Sequence, residues 1–319
     1  MNLEFVLCGS PNDAFWSQVA MFRRSLDSFG GVYADARVAF YYGAPDPVEL
    51  PKRWRPHFRN IETHAVPIVE YLKQGNSAQS FNRFRLLSDN ADLSFLCDAD
   101  TLLVRPFPIE FLEELAASPA ICGVIAPYPL PTTQEEPLPA THPGKVLPDE
   151  ISHERLWDLL AEYVLGHKIH LDYGYTLTHA NQVCCPFYIN YGFVVATPKL
   201  LKRLYGQLLT VQPRILRVLY NRYAGQVGIA LGVERGNLPR RVLPMRFNFS
   251  NGWMADAAYP TELENVILIH YFNTNLFDRH KIFAEREHFS AFIGADFEGS
   301  NKIFQSHIAR LTGREYPFA

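Results

Sequence analysis

No run of about 18 apolar residues, the length a bilayer-crossing helix needs, occurs in the 319-residue sequence. The opening Met1-Asn2-Leu3-Glu4-Phe5 also lacks the basic start and long apolar core of a secretory signal. Cysteine is scarce: Cys8, Cys97, Cys122, Cys184 and Cys185 form no Cys-x-x-Cys pair. Cys8 and Cys97 sit in apolar runs, where a free thiol behaves as a small hydrophobe. A reducing compartment follows as the simpler expectation, and the sequence reads as a complete cytoplasmic protein. No block of Lys and Arg is long enough to track a phosphate backbone, and 30 basic against 33 acidic residues leave a net charge of -3. A nucleic-acid groove is thereby disfavoured. There is no Gly-x-Gly-x-x-Gly loop, no Walker sequence, no Gly-x-Ser-x-Gly elbow and no internal repeat.

What is present is the composition of a globular enzyme, with 48% apolar and 20% charged residues. Phe (23) and Tyr (16) are abundant enough to serve either a core or a carbohydrate-stacking surface. Strand and helix signals alternate from the start. Residues 3–8 are an apolar run closed by Gly9-Ser10-Pro11-Asn12, and Phe15, Val19, Phe22 and Leu26 follow at helical spacing. Further strands are expected over 38–42, 61–66, 93–97, 121–126, 188–196 and 266–270. Helices are expected over 80–88, 111–117, 156–164 and, opening after Pro198, 200–209. Such alternation predicts an α/β fold, a mostly parallel sheet with helices on its faces. Residues 127–148 are Pro-rich without hydrophobic period and read as a long loop. They divide a donor-binding half (1–126) from an acceptor-binding half (127–283), with a helical tail over 284–319.

The chemistry centres on Asp98-Ala99-Asp100, delivered by the apolar run Leu93-Ser94-Phe95-Leu96-Cys97. Residues two apart on a strand share a side, so both carboxylates can address one ion while Ala99 faces away. Bare, they would repel, and burying them unpaired is costly. A cation resolves both problems; capping a turn or pairing with arginines is the competing reading. His270 ends the late apolar run Val266-Ile267-Leu268-Ile269 and could complete a ligand set suited to Mn²⁺ or Mg²⁺. His167 and His170 share a spacing of three but have no third ligand nearby in sequence.

The stretch Phe95-Leu96-Cys97-Asp98-Ala99-Asp100-Thr101-Leu102-Leu103-Val104 resembles the metal-binding segment of nucleotide-sugar glycosyltransferases with the GT-A fold. It is most similar to the glycogenin- and galactosyltransferase-like family GT8, and the likeness extends over about residues 3–283. The resemblance implies a GT-A type, Rossmann-like mixed sheet, mostly parallel and flanked by helices, with insertions on the acceptor side. It implies that Leu7, Cys8, Gly9 and Ser10 hold the nucleobase. Arg83 would lie near the donor sugar and phosphates, with Asn82 and Arg85 as alternatives. Asn190-Tyr191-Gly192 matches the family's Asn-Ser-Gly beside the sugar, with tyrosine replacing serine. Gly225-Gln226 matches an Asp-Gln pair near the reacting carbon, with the aspartate missing, and Leu243-Pro244 through Asn248 matches a later element. Asp98, Asp100 and His270 would be the metal ligands, and the Asp98-Ala99-Asp100 segment would contact the donor. The family's Gly-x-Lys-Pro-Trp is replaced by Phe272-Asn273-Thr274-Asn275-Leu276-Phe277, leaving Lys281 or Arg279 as candidates for its diphosphate contact.

The expected activity is metal-dependent transfer of a hexosyl unit from a nucleoside-diphosphate sugar, UDP by resemblance, to a hydroxyl of a carbohydrate or glycoconjugate. Retention of configuration is implied, with Gln226 bordering the reacting face; an inverting enzyme would need a base such as Asp172 or Asp256. A nucleotidyltransferase is the nearest alternative, yet Cys8-Gly9-Ser10-Pro11 lacks the basic residue of its phosphate loop. A non-catalytic carbohydrate-binding protein would explain the aromatics but not the paired aspartates.

Overall fold

The computed structural model describes residues 1–44, 46, 48–70, 78–131, 151–177, 184–219 and 223–318. Most of the expected Pro-rich loop, residues 132–148, lies outside the described residues. In chain order the strands are β1 Leu3–Gly9, β2 Arg37–Tyr42, β3 Glu62–Ala65, β4 Leu93–Asp98, β5 Thr101–Leu103 and β6 Ile121–Gly123. They continue with β7 Tyr173–Gly174, β8 Cys184–Cys185, β9 Phe193–Ala196, β10 Arg240–Val242, β11 Phe249–Ser250 and β12 Leu268–His270. Seven form the main sheet in the order β10-β6-β9-β4-β1-β2-β3; three form a second sheet, β11-β12-β5. Only β9 runs antiparallel to its neighbours in the main sheet, so the sheet is mixed and mostly parallel, as expected.

Side-chain alternation divides the core between the two faces of that sheet. Phe5, Leu7, Phe95, Cys97, Phe193 and Val195 enter one apolar cluster; Val6, Leu96, Val194 and Ala196 enter the other. Strands buried on both faces read as continuous apolar runs, which is how β1 and β4 read. Phe5 stacks on Phe95 (4.7 Å) and Phe95 on Phe107 (4.9 Å), so much of the phenylalanine content is core. The first face is covered by helix Asp13–Phe29, capped by Asn12 through its contact with Phe15 N (3.2 Å). Helices His153–Leu165, Pro198–Val218 and Ala224–Arg235 supply buried residues to the second cluster.

Three expected elements differ. The helix over 80–88 is a short turn, Ala78–Asn82, followed by a 3-10 segment, Arg83–Leu86, because Arg83 turns inward to bind main-chain carbonyls. The strand over 188–196 contracts to β9, since Asn190 Oδ1 accepts from Gly192 N (2.8 Å) and folds the preceding residues into a turn. The helix after Pro198 runs on to Val218, because Leu204, Leu208, Val211 and Ile215 keep one face buried. All five cysteines are free thiols. Among the described residues no helix is long and apolar enough to cross a membrane.

The C-terminal segment carries helices Arg286–Gly294 and Gly299–Thr312, whose Phe304 and Ile308 are fully buried in the first cluster. A polar chain ties the last helix to β5. Arg310 donates to His307 Nδ1 (2.9 Å), His307 Nε2 donates to Ser25 Oγ (3.0 Å), and Ser25 donates to Leu103 O. This chain requires a neutral imidazole protonated at Nε2. Burial, with the Arg310 cation beside it, lowers the His307 pKa to about 4. The unfolded chain therefore takes up a proton below its ordinary value of 6.5 while the folded one does not, so stability falls as pH drops from about 6.5 to about 4. A shift of this size corresponds to about 3 kcal/mol at the acid end of the window. We predict that His307→Gln, which supplies one acceptor and one donor but no titrating group, flattens the fall in urea-unfolding free energy between pH 7 and pH 5 relative to the parent. An identical pH dependence in the two proteins would contradict this.

Candidate metal centre and cavity

β4 belongs to the main sheet and β5 to the second, so the chain changes sheets across Ala99–Asp100. Thr101 Oγ1 closes the turn by donating to Asp98 O (2.8 Å). Ala99 is buried in the core with its carbonyl accepting from Tyr271 Oη (3.3 Å), while Asp98 and Asp100 face a cavity. β5 then pairs antiparallel with β12, with Thr101 opposite His270, and Tyr271 N donates to Asp100 O (3.0 Å). That register sets His270 beside Asp100, with Nε2 3.3 Å from Oδ1. One donor atom each from Asp98, Asp100 and His270 lies within 4.8 Å of the others.

The cavity has a volume of about 540 Å³. Besides the cluster, Asn190, Gly192, Gln226 and Arg279 line it, and so do Tyr128, Tyr188, Tyr191, Tyr223 and Phe272. Gly192 packs directly against the imidazole: a Cβ there would lie 2.3 Å from His270 Cε1, so only glycine permits this placement. Gln226 Oε1 accepts from Tyr191 N (3.2 Å), fixing the loop that carries Asn190 and Gly192.

Each aspartate also faces an arginine, so both readings of the acidic pair meet at this site. Arg83 is fully buried; it donates to Cys97 O (3.0 Å), Tyr191 O (2.5 Å) and Asp98 Oδ1 (3.4 Å), and its guanidinium lies 4.4 Å from the Tyr191 ring centre. It does not line the cavity; it acts through Asp98 and Tyr191. Arg279, which lines the cavity, binds Asp100 Oδ2 (2.5 Å). Burial alone would raise the Asp100 carboxyl, but His270 and Arg279 outweigh it and hold the group well below the usual carboxylate range.

The remaining expected residues are more scattered. Leu7 is a core side chain between β2 and β4. Cys8 Sγ touches Ser80 Oγ (3.4 Å) and Asp98 Oδ1 (3.7 Å), and burial pushes the thiol pKa up to about 11. Phe15 packs against Gly9, where a Cβ would meet its ring at 2.3 Å. Leu7, Cys8, Gly9 and Ser10 all lie outside the cavity lining, as do Arg85 and the exposed Lys281; Arg279 is the cation that reaches in. Asp172 is exposed, and Asp256 accepts from Ser300 N (3.2 Å) at the start of the last helix; neither lines the cavity. Of the lining tyrosines, Tyr191 is named by sequence as the replacement for serine; Tyr128, Tyr188 and Tyr223 are not. The nearest signal was Pro127-Tyr128-Pro129, an aromatic held between two prolines at a strand end.

No protein-family model matches the chain, and no curated protein matches it. Among solved structures it is similar to the apo form of the bifunctional glycosyltransferase WbbM, at 12% identity and a TM-score of 0.50, covering 98% of this chain and 52% of that one. It is also similar to the galactosyltransferase LgtC in complex with donor and acceptor sugar analogues (13% identity, TM-score 0.48, 85% of this chain and 87% of that one). Mouse xyloside xylosyltransferase 1 in its apo form gives 12% identity, a TM-score of 0.48, and coverage of 87% and 100%. The WbbM likeness, together with the sheet order, defines the architecture: a GT-A-like α/β fold with a mixed, mostly parallel sheet between helices.

Arg83→Leu would leave the Cys97 and Tyr191 carbonyls without their donor. At about 1–3 kcal/mol for each buried acceptor left unpaired, we predict a loss of about 2–5 kcal/mol in urea unfolding. Arg83→Lys should recover only part of it, because one ammonium cannot reproduce the planar fork. A loss below 1 kcal/mol for the leucine variant would show that the guanidinium is not the clamp described.

Proposed function

We propose that this protein is a metal-dependent glycosyltransferase that moves a glycosyl unit from a nucleoside-diphosphate sugar to a hydroxyl acceptor. The observation that carries the reading is the convergence of Asp98, Asp100 and His270, from two different sheets, on the wall of one cavity. The donor set fits a hard divalent cation such as Mn²⁺ or Mg²⁺: two carboxylates and one imidazole at the mouth of a space able to admit further oxygen ligands. His270 Nδ1 is buried without a hydrogen-bond partner, and Nε2 lies 3.3 Å from Asp100 Oδ1, on the side where the two carboxylates converge.

When bound, the cation would neutralise charge developing on the departing diphosphate. The protein's own part is to hold that position rigid. Arg83 fixes Asp98, the β5–β12 pairing fixes His270 against Asp100, and Gly192 lets the imidazole sit close to the Asn190 turn. Gln226, anchored through Tyr191 N, borders the cavity where the sugar would lie. Tyr128, exposed at the cavity wall, offers its ring to a carbohydrate. Retention is favoured because, among the described residues, Asp98 and Asp100 are the only carboxylates lining the cavity. With no further carboxylate on that wall among the described residues, deprotonation of the acceptor by the departing phosphate is the reading this supports. The family GT8 resemblance points to UDP and to a hexose as the first donors to test.

Asp100→Asn keeps the size of the side chain and removes the charge. We expect it to lower turnover by about 10²–10³-fold or more, read as nucleoside diphosphate released from a UDP-sugar panel with Mn²⁺, with an unchanged circular dichroism spectrum. Undiminished turnover would overturn the assignment. Magnetic resonance of the first-formed product should show the donor's anomeric configuration; the opposite anomer would refute retention.

A further inference from the structure

The two arginines at the acidic pair are not equivalent. Arg83 is fully buried and committed to two carbonyls as well as Asp98, so it cannot leave without orphaning buried acceptors. The Arg279 side chain is 27% exposed, and among the described residues it binds, besides Asp100, only Phe272 O (3.3 Å) and the neighbouring His280 ring (3.2 Å). Its main chain is pinned: the fully buried Gln18 donates to Arg279 O (3.0 Å) from helix Asp13–Phe29. A guanidinium on a fixed backbone, with most of its contacts at the cavity wall, can turn without disturbing the fold.

Charge balance says when it must turn. Two carboxylates facing two guanidiniums are formally neutral without any ion. A divalent cation added to that set overcharges it by two, and the Arg279 guanidinium on Asp100 Oδ2 repels an ion held by the same carboxylate beside His270. We propose that Arg279 is a stand-in cation for the metal: it holds Asp100 in the metal-free protein and is released from it when the metal and a nucleoside diphosphate bind. The inference rests on the metal-dependent reading above. The released guanidinium stays at the cavity wall, where its planar fork meets the oxygens of the diphosphate. Metal and diphosphate thereby bind as a mutually dependent pair, and the dependence is reciprocal by linkage. Arg279 is thus a positioning residue for the ligand set.

Calorimetric titrations of the parent, R279Q and R279K with MnCl₂, alone and at saturating UDP, test this without reference to turnover. R279Q should bind Mn²⁺ alone at least fivefold more tightly than the parent, and R279K should fall between them. The factor by which UDP strengthens Mn²⁺ binding should shrink by a similar amount in R279Q. Equal or weaker Mn²⁺ binding by R279Q would overturn the stand-in role while leaving the metal site intact. If neither the parent nor the variants bind Mn²⁺ or Mg²⁺, the metal reading fails and this inference with it.

Discussion

The antiparallel pairing of Thr101–Leu103 with Leu268–His270 is the contact on which the site depends. Until those strands meet, Asp98-Ala99-Asp100 is only the frayed end of a parallel strand. Once they meet, the acidic turn is clamped between two sheets, and an imidazole from far along the chain stands beside Asp100. Hydrogen bonds hold both ends: Asp98 N to Gly192 O (3.0 Å) on the main-sheet side and Tyr271 N to Asp100 O on the other. Side-chain geometry at the cluster is thus inherited from main-chain register, and a slip of one residue would turn His270 to the opposite face.

A second constraint is electrostatic. Carboxylates at the end of a buried strand are tolerated only when something positive faces them. Here the compensation is divided between a guanidinium sealed in the core and one at the cavity wall. The sealed one also joins three segments, the 3-10 turn of Arg83–Leu86, the end of β4 and the loop before β9, so charge compensation and loop placement are one contact set. The Tyr191 side chain, unusual for the segment that it resembles, finds its role there, with its ring against Arg83 and its hydroxyl donating to Ser80 O (2.7 Å).

Strand and helix order was legible in the sequence because buried parallel strands and amphipathic helices write their periods plainly. β1, β4 and helix Asp13–Phe29 are examples. The meeting of Asp98, Asp100 and His270 was legible as a pattern, two acids after one apolar run and a histidine after another. The convergence itself rests on a sheet change that no local period encodes: residues 101–104 look extended whichever partner they pair with. The resemblance sets Arg83 near the donor, but its full burial is illegible for a related reason. An arginine in a polar-aromatic segment reads as exposed, and only distant carbonyls from Cys97 and Tyr191 make its burial tolerable. Likewise nothing local separates Arg279 from Lys281; the Gln18 contact, from the far side of the chain, decides which one reaches the cavity.

The last helix touches no residue of the acidic cluster, yet it is braced against the strand that carries it. Its His307 reaches Leu103 through Ser25, and its Asn301 accepts from Asn251, whose own N–H binds His270 O. Both partners of the decisive strand pair are therefore buttressed by helix Gly299–Thr312. A substitution in that helix can loosen the register of β5 on β12 without touching any residue that faces the cavity, so the cluster and this remote helix behave as one mechanical unit.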